Sequence, residues 1–133
     1  FKIAGNTPPQ ALIELCKTHQ IELIADPSSE VMHDLVQGAR VHLFHSDQAT
    51  GVKLKLVNAM ASSGHIVVNE NMILGTNLDG QCSLAMDQNE FQKLAQEFIQ
   101  TELLADKFEA RISFLKDHFS TVKNCGIIVD LLD

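Results

Sequence analysis

One stretch constrains this chain more than any other: Arg40 to Glu70, RVHLFHSDQATGVKLKLVNAMASSGHIVVNE. It opens on Val41-His42-Leu43-Phe44, an apolar run short enough for a strand buried on both faces. His45 to Gly51 is polar and contains breakers, so it reads as a loop. Val52 to Ser63 has helical spacing, with Leu54, Val57 and Ala61 on one stripe and Leu56 and Met60 on the next. Gly64 stands where a helix would stop, and His65 to Asn69 reads as a second buried strand. Strand, crossover helix and parallel strand make a right-handed βαβ unit. Ligands and anions collect in such units where the first strand's C-terminal end feeds the helix. Here that loop carries His45, Ser46, Thr50 and Gly51, with Lys53 and Lys55 just inside the helix.

The same alternation runs through the rest of the chain. Phe1 to Ala4 predicts a strand, and Thr7 with Pro8 predicts a capped helix to His19 whose inward face holds Leu12, Ile13 and Cys16. Ile21 to Ala25 predicts a strand. Asp26-Pro27-Ser28-Ser29 then starts a helix to Gly38 that buries Val31, Met32, Leu35 and Val36. Beyond the central unit, Glu70 to Gln81 lacks periodicity and reads as a loop with one helical turn near Met72. Cys82 to Met86 predicts a short strand and Asp87 a helix cap. Phe91, Leu94, Ala95 and Phe98 mark a helix over Gln88 to Leu104, and Phe108, Ile112, Leu115 and Phe119 mark another over Ala105 to Thr121. Asn124 to Leu132 reads as a last short helix, with a strand as the alternative. The expected fold class is α/β: a Rossmann-like, doubly wound parallel sheet of about five strands with additional C-terminal helices. Length and the lack of a linker favour a single domain over 1–133.

Composition excludes several functions. A net charge of -7 argues against sequence-independent nucleic-acid binding, which needs basic surface. Cys16, Cys82 and Cys125 are far apart, odd in number and in no metal spacing, so they read as thiols in a reducing compartment. No metal and no cofactor is expected. No nucleophile–base pair or carboxylate pair for hydrolysis stands out. No apolar run approaches the roughly 18 residues of a membrane span. The expected location is the cytoplasm or the cytoplasmic face of a membrane. Among the histidines, His42 reads as a core residue and His65 as part of an exposed turn, while His19, His33 and His118 fall on helix surfaces. Asn69 and Glu70, just past a strand end, are candidates to line a cleft. The phenylalanines from Phe91 to Phe119 read as core.

The order strand, loop, T-G-V-K-L-K-L-V-N-A-M-A, S-S-G-H-I-V-V resembles the C-terminal half of retaining, GT-B-fold glycosyltransferases of the group 1 (family 4) type. Lys2-Ile3-Ala4-Gly5 is similar to that family's opening strand and glycine, and Asp87 to Gln100 to its helix after the last sheet strand. The resemblance covers nearly the whole chain, with some twenty residues carrying its specificity. It implies a domain that binds a nucleoside-diphosphate sugar, within an enzyme that transfers a hexosyl unit to a glycan or lipid-linked acceptor. An N-terminal half would supply the acceptor contacts and any peripheral membrane contact. The opening FKIAGN, already strand-like, fits a fragment of that longer protein.

Carried over by position, the resemblance assigns the diphosphate to Gly51, Val52, Lys53 and Lys55, with free N–H groups of Val52 and Lys53 facing it. Either lysine would neutralise the departing diphosphate. Asn58 stands where the family's second Glu holds the ribose. Thr50 stands where its first Glu lies near the sugar, and Ser46 sits on the sugar side. Asn58 and Thr50 depart from the family pattern: Asn offers one acceptor oxygen and no charge, and Thr cannot replace a carboxylate. Two other readings therefore stay open, a catalytically inactive binding or scaffold relative and a GT-B-fold sugar-nucleotide epimerase.

Overall fold

The computed structural model describes residues 1–51 and 53–122. It divides into two compact units, Phe1–Leu35 and the chain from Val36 on, each taken by itself.

In the first unit, β1 (Lys2–Gly5), α1 (Gln10–Thr18) and β2 (Glu22–Ala25) lead into α2 (Ser29–Gly38), within which the division falls. The two strands pair in parallel from Lys2↔Glu22 to Gly5↔Ala25. That register puts Lys2 and Glu22 side by side, and their charged ends meet at 3.2 Å. Cys16, on the expected inner face of α1, is buried. Helix α1 starts later than Thr7-Pro8 suggests, at Gln10 with Pro9 in the cap position. Because Pro9 follows it, Pro8 is held out of the helical region. Thr7 instead adopts a left-handed φ of 48° and donates its N–H to Asp26 Oδ1 at 2.7 Å. At α2 the cap is Ser28, whose Oγ accepts from Val31 N at 3.2 Å. Val31, expected inside, is 43 % exposed.

The second unit holds β3 (Val41–Phe44), α3 (Leu54–Met60), β4 (His65–Val68), α4 (Glu70–Ile73), β5 (Ser83–Leu84), α5 (Gln88–Ile99) and α6 (Ala105–His118), with a 3-10 turn at Asp79–Gln81. Its three strands run parallel in the order β3-β4-β5, with Phe44↔Val68 and Val68↔Leu84 as neighbours. The βαβ reading of the central stretch therefore holds, as do the helical turn near Met72 and the Asp87 cap. Asp87 Oδ1 accepts from Glu90 N at 2.9 Å, and Glu90 reaches back to Met86 N at 2.7 Å. The core is Leu56, Ala59 and Met60 from α3, Ile66 and Val68 from β4, and Met72, Ile73 and Leu78 beyond it.

Several expectations need correction. Helix α3 is shorter than Val52 to Ser63, and its buried face is the Leu56–Met60 stripe, while Leu54 is 71 % exposed. The helix stops because the Ser62 hydroxyl takes the Ala59 carbonyl at 2.7 Å, a side-chain bond that competes with the next turn. Gly64 is chosen for space rather than for a left-handed helix stop. A Cβ there would lie 2.4 Å from the Ala39 carbonyl oxygen and 2.9 Å from His42 Nε2. His65 opens β4 instead of lying in a turn, and its ring stacks on Phe98 at 4.1 Å. The described strands form parallel sheets of two and three strands. The expected helix over Asn124 to Leu132 lies outside the described residues. No described helix is long and apolar enough to cross a membrane.

Candidate functional site

The C-terminal ends of β3, β4 and β5 border a cleft of about 330 Å³. It is lined by Leu43, Phe44 and His45 from the end of β3, Asn69 after β4, and Ala85, Met86, Asp87, Gln88 and Phe91 from the end of β5 into α5. Parallel strands with their helix crossovers leave this end open, which is why ligands settle there. The ring of His45 meets Phe91 at 6.2 Å, tilted by 59°. Phe91 is therefore a cleft wall as well as part of the α5 stripe. Asn69 lines the cleft as expected; Glu70 does not.

The loop from β3 to α3 carries most of the expected site residues; His45 lines this cleft, while Ser46, Thr50, Gly51 and Lys53 do not line it directly. Gly51 has φ 64°, so a side chain at that position would strain the backbone. Val52 lies outside the described residues. Lys53 takes the cap position of α3 and turns its ammonium back on the loop, donating to the Thr50 carbonyl at 2.7 Å. Lys55 points the other way, its Nζ 5.8 Å from the centroid of Phe44, a cleft residue. Asn58 is exposed further along α3 and makes no side-chain hydrogen bond among the described residues. Thr50 is exposed.

Ser46 is the best anchored of the set. Its N–H donates to Asn69 Oδ1 at 3.1 Å, and its carbonyl accepts from Asn69 Nδ2 at 2.8 Å and Asn71 Nδ2 at 3.2 Å. Its hydroxyl donates to the Gln48 carbonyl at 2.9 Å, so it is a loop-shaping group rather than a nucleophile with a base beside it. The structure thus joins Ser46 to the cleft through Asn69 and Lys55 through Phe44. It pairs Thr50 with Lys53, and leaves Asn58 apart.

Just ahead of β4, a buried residue that sequence reasoning missed helps to hold the βαβ unit in place. Arg111 of α6 is 4 % exposed and donates to the Gly64 carbonyl at 2.9 Å and the Ser62 carbonyl at 3.4 Å. Burial lowers its pKa, yet a guanidinium starts so high that it stays ionised. Its helical position carried the signal: Phe108, Arg111, Ile112 and Leu115 follow the i, i+3, i+4, i+7 spacing of a buried stripe. His42 is the buried, bonded histidine expected of it, with Nε2 2.8 Å from Ser62 Oγ. Burial first, and the Arg111 charge second, hold its pKa below the usual imidazole value. Burial raises the Cys82 thiol to about 11, which makes it a poor nucleophile at neutral pH.

Chemically, the cleft offers aromatic walls, two carboxamides, an imidazole and the Asp87 carboxylate, a set suited to binding. Among the described residues, no group of three His, Cys, Asp or Glu side chains is arranged to hold a metal ion. Compared with known protein families, curated proteins and solved structures, the chain finds no match.

Proposed function

We propose that this chain is the nucleotide-sugar-binding part of a retaining, GT-B-type glycosyltransferase that transfers a hexosyl unit to a glycan or lipid-linked acceptor. The observation that carries this reading is the sequence T-G-V-K-L-K-L-V-N-A-M-A between two parallel strands that end at one cleft. On this reading the parallel strands belong to one doubly wound, Rossmann-like sheet, one half of the GT-B architecture, and the acceptor binds an N-terminal half. Lys53 and Lys55 handle the diphosphate with Gly51 and Val52. Asn58 meets the ribose, and Thr50 and Ser46 face the sugar. The enzyme works in the cytoplasm or on its membrane face, and requires no metal because the lysines neutralise the leaving diphosphate.

The test is calorimetric titration of the full-length protein with UDP, GDP and ADP, repeated on a Lys53→Ala, Lys55→Ala double variant. Binding of one nucleotide, weakened in the variant, is the expected result. A folded protein that binds none of the three overturns the donor reading. A second reading rests on Asn58 and Thr50, which lack the carboxylates of the family pattern: a relative that binds the donor and transfers nothing. Full-length protein that binds nucleotide sugar without consuming it would favour that reading.

A further inference from the structure

Asn69 occupies the cap position of α4, where an asparagine ordinarily accepts a backbone N–H of its own helix. It makes no such bond. Both polar atoms of its carboxamide go instead to a single residue 23 positions earlier: Oδ1 accepts from Ser46 N and Nδ2 donates to Ser46 O. The orientation of the amide follows from the partners, since only the oxygen can accept and only the nitrogen can donate. The last backbone pair between β3 and β4 is Phe44↔Val68. The Asn69 side chain therefore stands in for the next rung of the ladder, holding the chain as it leaves β3. Asn71 Nδ2 adds a second donor to the same carbonyl.

We infer that Asn69 is the positioning residue of the β3–α3 loop, acting through the backbone of Ser46 to set the path on which Thr50, Gly51 and Lys53 follow. The role of that loop in binding a nucleoside diphosphate rests on the donor-site reading; the clamp itself does not. Asn69 also lines the cleft, so the loop and any molecule in the cleft meet at one carboxamide. A capping role alone would stabilise α4 and leave the loop untouched.

Amide hydrogen exchange at Ser46 and titration with UDP, GDP and ADP test this on full-length protein and two variants. Asn69→Ala removes both bonds. It should speed exchange of the Ser46 N–H and weaken nucleotide binding, each by about tenfold. Asn69→Asp keeps the acceptor for Ser46 N and loses the donor to Ser46 O. It should retain the protection of the Ser46 N–H while still weakening nucleotide binding, and it serves as the working variant if Asn69→Ala fails to fold. Unchanged Ser46 exchange in Asn69→Ala overturns the clamp. Faster exchange with unchanged nucleotide affinity overturns the positioning role. Faster exchange in a protein whose native form binds no nucleotide upholds the clamp and removes the donor-site reading instead.

Discussion

The Nε2 nitrogen of His42 donates to the hydroxyl oxygen of Ser62 across 2.8 Å, inside the unit that carries the cleft. The direction of that bond is fixed by its neighbours. The Ser62 hydroxyl proton is already given to the Ala59 carbonyl at 2.7 Å, and Gly64 N also approaches the same oxygen at 3.4 Å. Ser62 can only accept from His42, and a neutral imidazole with its proton on Nε2 satisfies it.

This arrangement predicts acid sensitivity with a definite sign. Burial, then the Arg111 charge, lowers the His42 pKa from 6.5, and burial likewise lowers that of His65. The unfolded chain therefore binds more protons than the folded one below the ordinary value. The stabilising contribution is complete above pH 6.5 and is lost as pH falls from there through the lowered folded values. Urea midpoints should stay level above neutrality and drop on acidification. His42→Gln, which keeps an N–H donor and cannot titrate, should show a shallower drop, with the remainder due to His65. A midpoint that rises as the pH is lowered contradicts this assignment.

Gly64→Ala should be among the costlier small substitutions in the chain. The added carbon meets a backbone oxygen, Ala39 O, at 2.4 Å, and backbone cannot swing aside as a side-chain tip can. It also presses on His42, whose ring is bonded to Ser62. Overpacking of this kind costs roughly 1–3 kcal/mol, and the upper part of the range applies here. Equilibrium denaturation measures it, with Gly38→Ala as the control because nothing lies within 4 Å of its added carbon.

Arg111 contributes through its two carbonyl partners, and among the described residues it forms no ion pair. Replacing it with Met keeps much of the volume and relieves a desolvated charge, but leaves the Gly64 and Ser62 carbonyls without their donor. A buried group left unpaired costs about 1–3 kcal/mol, so a net loss of about 2 kcal/mol is expected. A second readout separates charge from packing. Arg111 holds down the Cys82 pKa against the raising effect of burial, which leaves the thiol at about 11. In Arg111→Met the alkylation profile of Cys82, followed on its own peptide, should move to still higher pH.

Much of the second unit was legible because its signals are local. Val41–Phe44 is an apolar run between polar neighbours, and Asp87 with Glu90 three residues on is a cap in sequence as in space. What was not legible depends on partners distant in sequence. Arg111 sits at a core position of its stripe, but a charged residue there reads as solvent-facing until its carbonyl acceptors, 47 and 49 residues away, are known. Asn69 likewise reads in sequence only as a strand-end residue beside a cleft, and only the position of Ser46 shows where its amide goes. The start of α1 is a different kind of miss. Pro8-Pro9 excluded a helix at Pro8 from the sequence alone, and the general preference for Pro at a first turn obscured it.

The two lysines of the loop and helix should not contribute equally to nucleotide binding. Lys53 is committed to the Thr50 carbonyl at 2.7 Å and must give up that bond to reach a phosphate. Lys55 has only to leave the face of Phe44, an exposed contact worth about 0.5–1 kcal/mol, and it already lies beside a cleft wall. Lys55→Ala is therefore expected to weaken nucleotide binding by about tenfold, the cost of one charge-assisted bond, and Lys53→Ala by less. Both lysine charges are accessible to ions, so the deficit in each variant should shrink as salt is raised. Titrations of the two single variants at low and high salt decide the ranking. A larger loss in Lys53→Ala would mean that the bond to Thr50 shapes the loop for binding instead of competing with it.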